Sequence, residues 1–154
     1  MEKKTMEILK EAGWYEGRKI EALEIYLFLE SRGFYIHEKA KSFIEEYGML
    51  NIKAPTQFSE EIIKSYNFPK YDNHTTDIYN LLGETIDAEY SEQYEDYVKE
   101  KLVIVGALDD NNLYIMVSES GKVYCDTGKL GENFEEAWDN ILTPGASPLS
   151  WQFL

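Results

Sequence analysis

Cysteine is nearly absent from this chain of 154 residues, in which Cys125 is the only one. A single thiol cannot form a disulfide within the chain, and it excludes a zinc site built from several cysteines. Histidine is almost as rare, and neither His37 nor His74 belongs to a ligand pattern such as His-Glu-x-x-His. The sequence therefore predicts no metal centre and no cofactor, and Cys125 is expected to be a buried structural thiol.

Long apolar runs are also missing. The longest one, Leu102 to Leu108, has about seven residues, whereas a membrane-spanning helix needs roughly 20. The first ten residues are charged and lack the apolar core of a secretory signal. We therefore expect a cytoplasmic protein with no membrane partner.

Basic residues are scarce: 15 Lys and Arg stand against 29 Asp and Glu, which gives a net charge of −14. Direct binding to nucleic acid is disfavoured, because phosphate contacts need Lys and Arg. Two explanations of the acidity stay open, namely solubility alone and attraction to a basic partner. The 44% hydrophobic content argues against disorder, and the length suits one domain over residues 1–154.

Three short runs rich in β-branched and aromatic residues dominate the second half of the chain: Leu102–Leu108, Leu113–Val117 and Lys122–Cys125. Turn-forming clusters separate them, which predicts an antiparallel three-strand meander. The cluster Asp109–Asn112 resembles a cation loop, but it lacks the ligand spacing of a calcium loop, so a hairpin turn is favoured. The first run is apolar almost throughout, so we expect both of its faces to be covered.

Five segments show helical spacing of apolar residues: Thr5–Ala12, Ile20–Ser31, His37–Tyr47, Ile86–Glu100 and Glu132–Leu142. Pro144 and Gly145 are expected to end the last helix. The second helix carries a broad apolar stripe that includes Leu23, Tyr26 and Leu27, which predicts contacts on two sides.

The remaining segments have weaker signals. They are Met49–Lys53 (a strand), Phe58–Phe68 (a strand or a helical turn), Lys70–Thr76 (a polar loop), Asp77–Gly83 (a turn or short helix) and Ala146–Leu154 (an edge strand or docked extension). The predicted fold class is α+β, with a central antiparallel or mixed sheet that contains the three-strand meander and about five flanking helices.

Catalytic motifs are lacking, since the sequence contains no phosphate-binding loop and no nucleophile with a paired base. The fourth predicted helix is unusual in its charge. Its acidic residues are Glu89, Glu92, Glu95, Asp96 and Glu100. Like charges at helical spacing cost a few tenths of a kcal/mol each. The helix is either a solvated face or a contact surface for a basic partner, with exposed tyrosines as anchors.

The segment Ala12-Gly13-Trp14-Tyr15-Glu16-Gly17-Arg18 forms an aromatic and glycine-rich corner after the first helix. A ligand site is one interpretation, and a structural role is favoured. In that role Trp14 fills space beside the core, Gly13 and Gly17 relax the backbone, and Arg18 pairs with an acid or a helix-end carbonyl.

This corner resembles the Ala-Gly-Trp-x-x-Gly-Arg opening of the third subgroup of the SUKH superfamily of bacterial immunity proteins. The resemblance continues through Val105-Gly106, Gly121-Lys122-Val123-Tyr124 and Phe134-Glu135-Glu136-Ala137-Trp138, and it spans roughly residues 8 to 145. The family often has two glycines before its first strand, where this chain has Gly48-Met49, and Phe58–Gly83 shares no motif with it.

The resemblance implies an α+β fold and a non-enzymatic antitoxin that neutralises a cognate toxin domain of a bacterial polymorphic or contact-dependent system, often a nuclease. Gly13, Trp14, Gly17 and Arg18 transfer as fold markers, and no catalytic residue transfers. Because a nuclease needs a basic cleft for phosphate, the five helix acids are the predicted partner-binding residues. The alternatives are a regulatory or interaction module of the same fold and, less favoured, an enzyme acting on a small molecule.

Overall fold

A computed structural model describes residues 1–143 and 147–154. Within these residues the chain forms seven α-helices and one seven-stranded sheet. The helices are α1 (Lys3–Glu11), α2 (Leu23–Ser31), α3 (Glu38–Tyr47), α4 (Glu60–Tyr66), α5 (Ile78–Leu82), α6 (Ala88–Val98) and α7 (Phe134–Leu142). The strands are β1 (Asn51–Pro55), β2 (Tyr71–Thr75), β3 (Leu102–Leu108), β4 (Leu113–Ser118), β5 (Val123–Cys125), β6 (Gly128–Gly131) and β7 (Leu149–Ser150). A 3-10 helix, Trp151–Phe153, follows β7.

The strands lie side by side in chain order, and every neighbouring pair is antiparallel. The α+β class and the antiparallel sheet are confirmed. The predicted meander is too short, because among the described residues it runs through seven strands rather than three, and the mixed alternative is wrong. β6 and β7 have only 4 and 2 residues, which is too few for a clear period-two pattern.

The prediction of a polar loop over Lys70–Thr76 is wrong. Tyr71–Thr75 forms β2, which pairs with β1 from Asn51 opposite Thr75 to Pro55 opposite Tyr71. One face of this two-stranded ribbon is open to solvent, so exposed side chains alternate with buried ones in β1. The sequence of β2 is polar because one face of this strand is exposed to solvent.

The helix count in the described residues is seven rather than about five. The two additional helices, α4 and α5, lie in segments that were compatible with a helical turn. Both begin at a capping side chain, since Ser59 accepts from the Ile62 N–H and Asp77 accepts from the Asn80 N–H. α4 buries none of its residues, which explains why its sequence shows no core pattern. The predicted end of the last helix at Pro144 and Gly145 lies outside the described residues.

Every residue of β3 is buried, as predicted, because helices cover both faces of the sheet. α3 and α7 lie together on one face, where the Phe43 and Trp138 rings stack with centroids 5.9 Å apart. α6 lies on the other face, where the Tyr90 ring meets Tyr114 of β4 edge-on at 4.8 Å. The surface of α6 that faces outward is therefore fixed by this tyrosine contact.

The hairpin turn at Asp109–Asn112 is confirmed. Asp109, Asp110 and Asn111 adopt the left-handed conformation, with φ of 51°, 56° and 67°. Gly106 marks a bulge in β3, and a Cβ atom there would lie 2.9 Å from the Cδ1 of Ile115 and 3.1 Å from the Thr75 carbonyl oxygen. Glycine is favoured at this point, because a Cβ atom would crowd the Thr75 carbonyl oxygen of β2 and the Ile115 side chain of β4.

Candidate functional site

Three of the five predicted partner-binding acids project into solvent from α6. Glu89, Glu92 and Asp96 are exposed, and their spacing of three and four residues places them in one stripe along the helix. Within the described residues, none of these three carboxylates takes part in a hydrogen bond or an ion pair. The stripe is therefore available to a partner.

The other two acids serve the fold itself. A carboxylate oxygen of Glu95 accepts from the backbone N–H of Leu102 at 2.8 Å, and the other lies 3.6 Å from the Lys101 ammonium. The Glu100 carboxylate accepts from the backbone N–H and the hydroxyl of Ser120, at 2.7 and 2.9 Å. The sequence did not distinguish these two acids from the other three. The partner of Glu95 lies in β3 and that of Glu100 lies in the β4–β5 turn, and neither contact is visible in the helix sequence.

The inner side of α6 is held by hydrogen bonds to one carboxylate. The hydroxyls of Tyr90 and Tyr94 both donate to Asp126, which also accepts from the backbone N–H of Tyr114 at 2.6 Å. Burial, together with the Asp126 charge, raises the pKa of both tyrosines above the ordinary value, so they remain donors. Sequence inspection missed Asp126, since nothing near it in the chain signals these distant partners.

The predicted tyrosine anchors, like the acids, fall into an internally bonded group and an exposed one. Tyr90 and Tyr94 are half-buried and committed to Asp126, whereas Tyr97 is exposed and stacks on Trp151 at 5.3 Å. The indole N–H of Trp151 donates to the Asp126 carbonyl oxygen at 2.8 Å. The segment 149–154 is thus both an edge strand, β7, and a docked extension. Its Trp151 packs against the C-terminal half of α6.

The predicted pairing of Arg18 with a helix end is confirmed. Its guanidinium donates to the carbonyl oxygens of Glu46 and Gly48, at 2.7 and 2.8 Å. These carbonyls lie at the C-terminus of α3, where helical carbonyls lack intrahelical partners and a cation is favourable. Arg18 therefore ties the corner after α1 to the end of α3.

The other corner residues have equally structural positions. Trp14 is buried, donates from its indole N–H to a carboxylate oxygen of Glu46 at 3.0 Å and stacks on Tyr47. Gly13 and Gly17 have φ of 113° and 83°, conformations that glycine adopts without strain. The four fold markers thus have structural roles, since Trp14 and Arg18 join the corner to α3 and the two glycines allow its backbone conformation.

The structure exposes a surface that the sequence had assigned to the interior. α2 does contact neighbours on two sides, since the Tyr26 hydroxyl donates to Glu45 at 3.1 Å and the Phe28 ring lies 4.8 Å from that of Tyr79. Leu23 and Leu27, however, are 60% and 55% exposed. An open depression of about 550 Å³ is lined in part by Leu23. We call it the α2 depression, and its lining residues are Glu21, Leu23, Glu24, Ile25, Met49 and Tyr79.

A cavity of about 500 Å³ has both Cys125 and His74 in its wall. The Cys125 thiol is buried, as predicted, and lies 3.3 Å from the Thr127 hydroxyl. The Nδ1 of His74 accepts from the backbone N–H of Asp109 at 3.1 Å. Burial raises the pKa of Cys125 and lowers that of His74, so both groups are uncharged at neutral pH and form no thiolate–imidazolium pair.

Over residues 1–143 and 147–154, no group of three or more His, Cys, Asp or Glu side chains could hold a metal ion. None of the helices in that part of the chain has the length and hydropathy that crossing a membrane requires.

Comparison with known proteins agrees with the features described above. The family model described as SUKH-3 immunity protein matches residues 1–144. The match includes segment 58–83, which shares no recognisable motif by inspection. Searches of curated proteins and of solved structures gave no significant match. Since the family model covers nearly the whole chain, this protein belongs to the SUKH-3 immunity protein family.

Proposed function

We propose that the chain is a non-enzymatic immunity protein, a single domain that acts in the cytoplasm. It binds a cognate toxin domain of a bacterial polymorphic or contact-dependent system and blocks it. Family membership over residues 1–144 is the observation that carries this proposal. The uncharged and internally bonded states of Cys125 and His74 are consistent with a binding role.

The toxin domain is a basic nuclease in this proposal. A nuclease holds phosphate in a basic cleft, and a chain with a net charge of −14 is attracted to such a cleft. The stripe of Glu89, Glu92 and Asp96 is exposed and unbonded, so it meets a basic partner without losing internal contacts. Glu95 and Glu100 support the stripe by holding the end of α6 to the sheet.

Co-expression with the toxin encoded by the neighbouring gene tests the function. We expect the chain to rescue growth of cells that express the toxin domain and to co-purify with an inactivated form of it. Toxicity that persists despite soluble immunity protein, together with the absence of a complex, contradicts the proposed function.

Charge reversal tests the α6 contact separately. The triple variant Glu89→Lys, Glu92→Lys and Asp96→Lys should weaken toxin binding about tenfold or more at low salt and flatten its salt dependence. The control reverses Glu7, Glu60 and Glu61, which changes the net charge equally at exposed positions elsewhere. If affinity and salt dependence of the α6 variant match those of the wild type, α6 is not part of the contact.

A further inference from the structure

The α2 depression combines exposed apolar side chains from three separate parts of the chain. Leu23 of α2, Met49 before β1 and Tyr79 of α5 line it, and the exposed Leu27 lies one helical turn after Leu23. Met49 and Tyr79 are 38% and 42% exposed. Isolated exposed apolar residues are ordinary, but a contiguous group around a concavity is typical of an interaction site.

Local structure does not require these leucines. The core-facing residues of α2 are Ile25 and Leu29, which are buried, and Tyr26 and Phe28 make the lateral contacts. A charged residue at position 23 or 27 would maintain the helix equally well, because these positions face solvent. The outward leucines therefore have no role in folding that the structure shows.

Met49 is a second exposed apolar side chain at this surface, and it occupies a strained backbone position. Its backbone has φ of 61°, in the left-handed region that a side chain disfavours, and its N–H donates to the Thr76 carbonyl oxygen at 3.0 Å. Glycine would relieve that conformation, but it would remove the side chain that lines the depression.

The charges around the depression are of one sign. Glu21 and Glu24 line it, and among the described residues no Lys or Arg does. The nearby Arg32 packs over Phe28 and donates to the carbonyl oxygens of Gly83 and Ile86, so its guanidinium is already engaged. An apolar centre with an acidic rim is complementary to a partner that has apolar side chains surrounded by Lys and Arg.

We propose that the α2 depression is the docking surface for the basic toxin domain, a step that rests on the proposed function. A second copy of this chain fits less well, because pairing two such surfaces brings two acidic rims together. In the proposed complex, apolar side chains of the toxin domain cover Leu23 and Leu27, and its basic residues face Glu21 and Glu24.

A second exposed apolar patch, on and around α4, serves as the control surface. Phe58 and Ile62 are 55% and 38% exposed there. Glu60 and Lys64 both line this patch. Because it carries charges of both signs, it does not favour a basic partner over an acidic one.

The experiment measures binding of the inactivated toxin domain from the neighbouring gene to purified full-length variants. Leu23→Ala with Leu27→Ala should weaken binding by about 30-fold or more, mostly through faster dissociation. Phe58→Ala with Ile62→Ala, which truncates one exposed apolar residue just before α4 and one on it, should change it by less than about threefold. Glu21→Gln with Glu24→Gln should slow association and reduce its salt dependence.

Each result separates the two proposals. If the wild type binds and rescues but the leucine variant binds equally well, the docking surface is wrong while the proposed function stands. If the wild type neither binds nor rescues, both are wrong. Sedimentation of the chain alone supplies a further check, since a wild-type dimer that the leucine variant dissociates identifies a second copy as the occupant and overturns the assignment. Circular dichroism and melting curves verify that every variant is folded.

Discussion

Helices α2 and α6 both lie at the surface, but they present opposite chemistry to solvent. α6 directs the carboxylates of Glu89, Glu92 and Asp96 outward, and Tyr90 and Tyr94 face the sheet. α2 directs Leu23 and Leu27 outward beside two glutamates. Charges act over about 8 to 10 Å at physiological salt, whereas apolar surfaces act only on contact. In the proposed complex we therefore expect α6 to contribute attraction and α2 to contribute retention.

The largest expected effect comes from removing the carboxylate that holds α6. Asp126→Ala deletes the acceptor for Tyr90, Tyr94 and the Tyr114 N–H, and it should lower the free energy of unfolding by about 2 to 4 kcal/mol. Hydrogen exchange should become faster in α6 and stay slow in α2, which apolar contacts hold. The control Asp96→Ala should leave stability and exchange nearly unchanged. Equal acceleration in both helices would contradict this division.

The next effect concerns the corner that leads into α2. Arg18→Leu removes two hydrogen bonds to the carbonyl oxygens of Glu46 and Gly48, and it should lower the unfolding free energy by about 2 to 3 kcal/mol. The neighbouring variant Lys19→Leu, at an exposed position, provides the control. Urea denaturation of both variants gives the comparison. Equal midpoints would show that the Arg18 hydrogen bonds do not stabilise the fold.

A smaller effect should follow pH, through the two buried histidines, His37 at the start of α3 and His74 in β2. Burial lowers the pKa of His37 and of His74 below the ordinary 6.5. The unfolded chain then binds protons that the folded chain does not, so stability is complete above pH 6.5 and declines as pH falls below it. The slope is at most about 1.4 kcal/mol per pH unit for each histidine.

Chemical denaturation at pH 7.5 and 5.5 measures this decline. His74→Asn keeps an acceptor for the Asp109 N–H but does not titrate. Its loss of stability between the two pH values should be smaller than that of the wild type. Equal losses would show that His74 does not contribute.

The smallest effect separates Glu100, which lies just beyond the end of α6 at Val98, from the acids on the helix itself. Glu100→Ala removes an acceptor for the Ser120 N–H and hydroxyl, and it should lower the unfolding free energy by about 1 kcal/mol. Glu92→Ala removes no bond and should leave stability unchanged, or raise it slightly by relieving repulsion along the helix. Thermal melts of the two variants suffice, and identical shifts would mean that the acids are equivalent.

Segments whose contacts lie near them in the chain were predictable. The hairpin at Asp109–Asn112 depends on backbone preferences of its own residues, and β3 is apolar enough to indicate cover on both faces. For Arg18 the sequence predicted an acid or a helix-end carbonyl as partner, but it did not locate those carbonyls at the distant end of α3. β2 was missed because three of its five residues, Asp72, Asn73 and His74, read as a polar loop, although pairing with β1 makes it a strand.

The candidate surfaces were predictable only in part. Counting charges located the acidic face of α6, but it did not separate Glu95, whose carboxylate is committed to β3, from Glu92, which is exposed. The apolar pattern of α2 predicted cover for Leu23 and Leu27, and the structure leaves both exposed. Whether a helix face is covered depends on elements distant in the chain, here α5 and the segment before β1.

Turn residues, helix periodicity and the Gly-Trp-x-x-Gly-Arg corner are visible in the chain itself, because backbone conformation and capping act over a few residues. They account for the α+β class, for most element positions and for the resemblance to the family. Burial, by contrast, depends on which segments meet in space. Only packing made Asp126 the anchor of α6 and left α2 with an open apolar face.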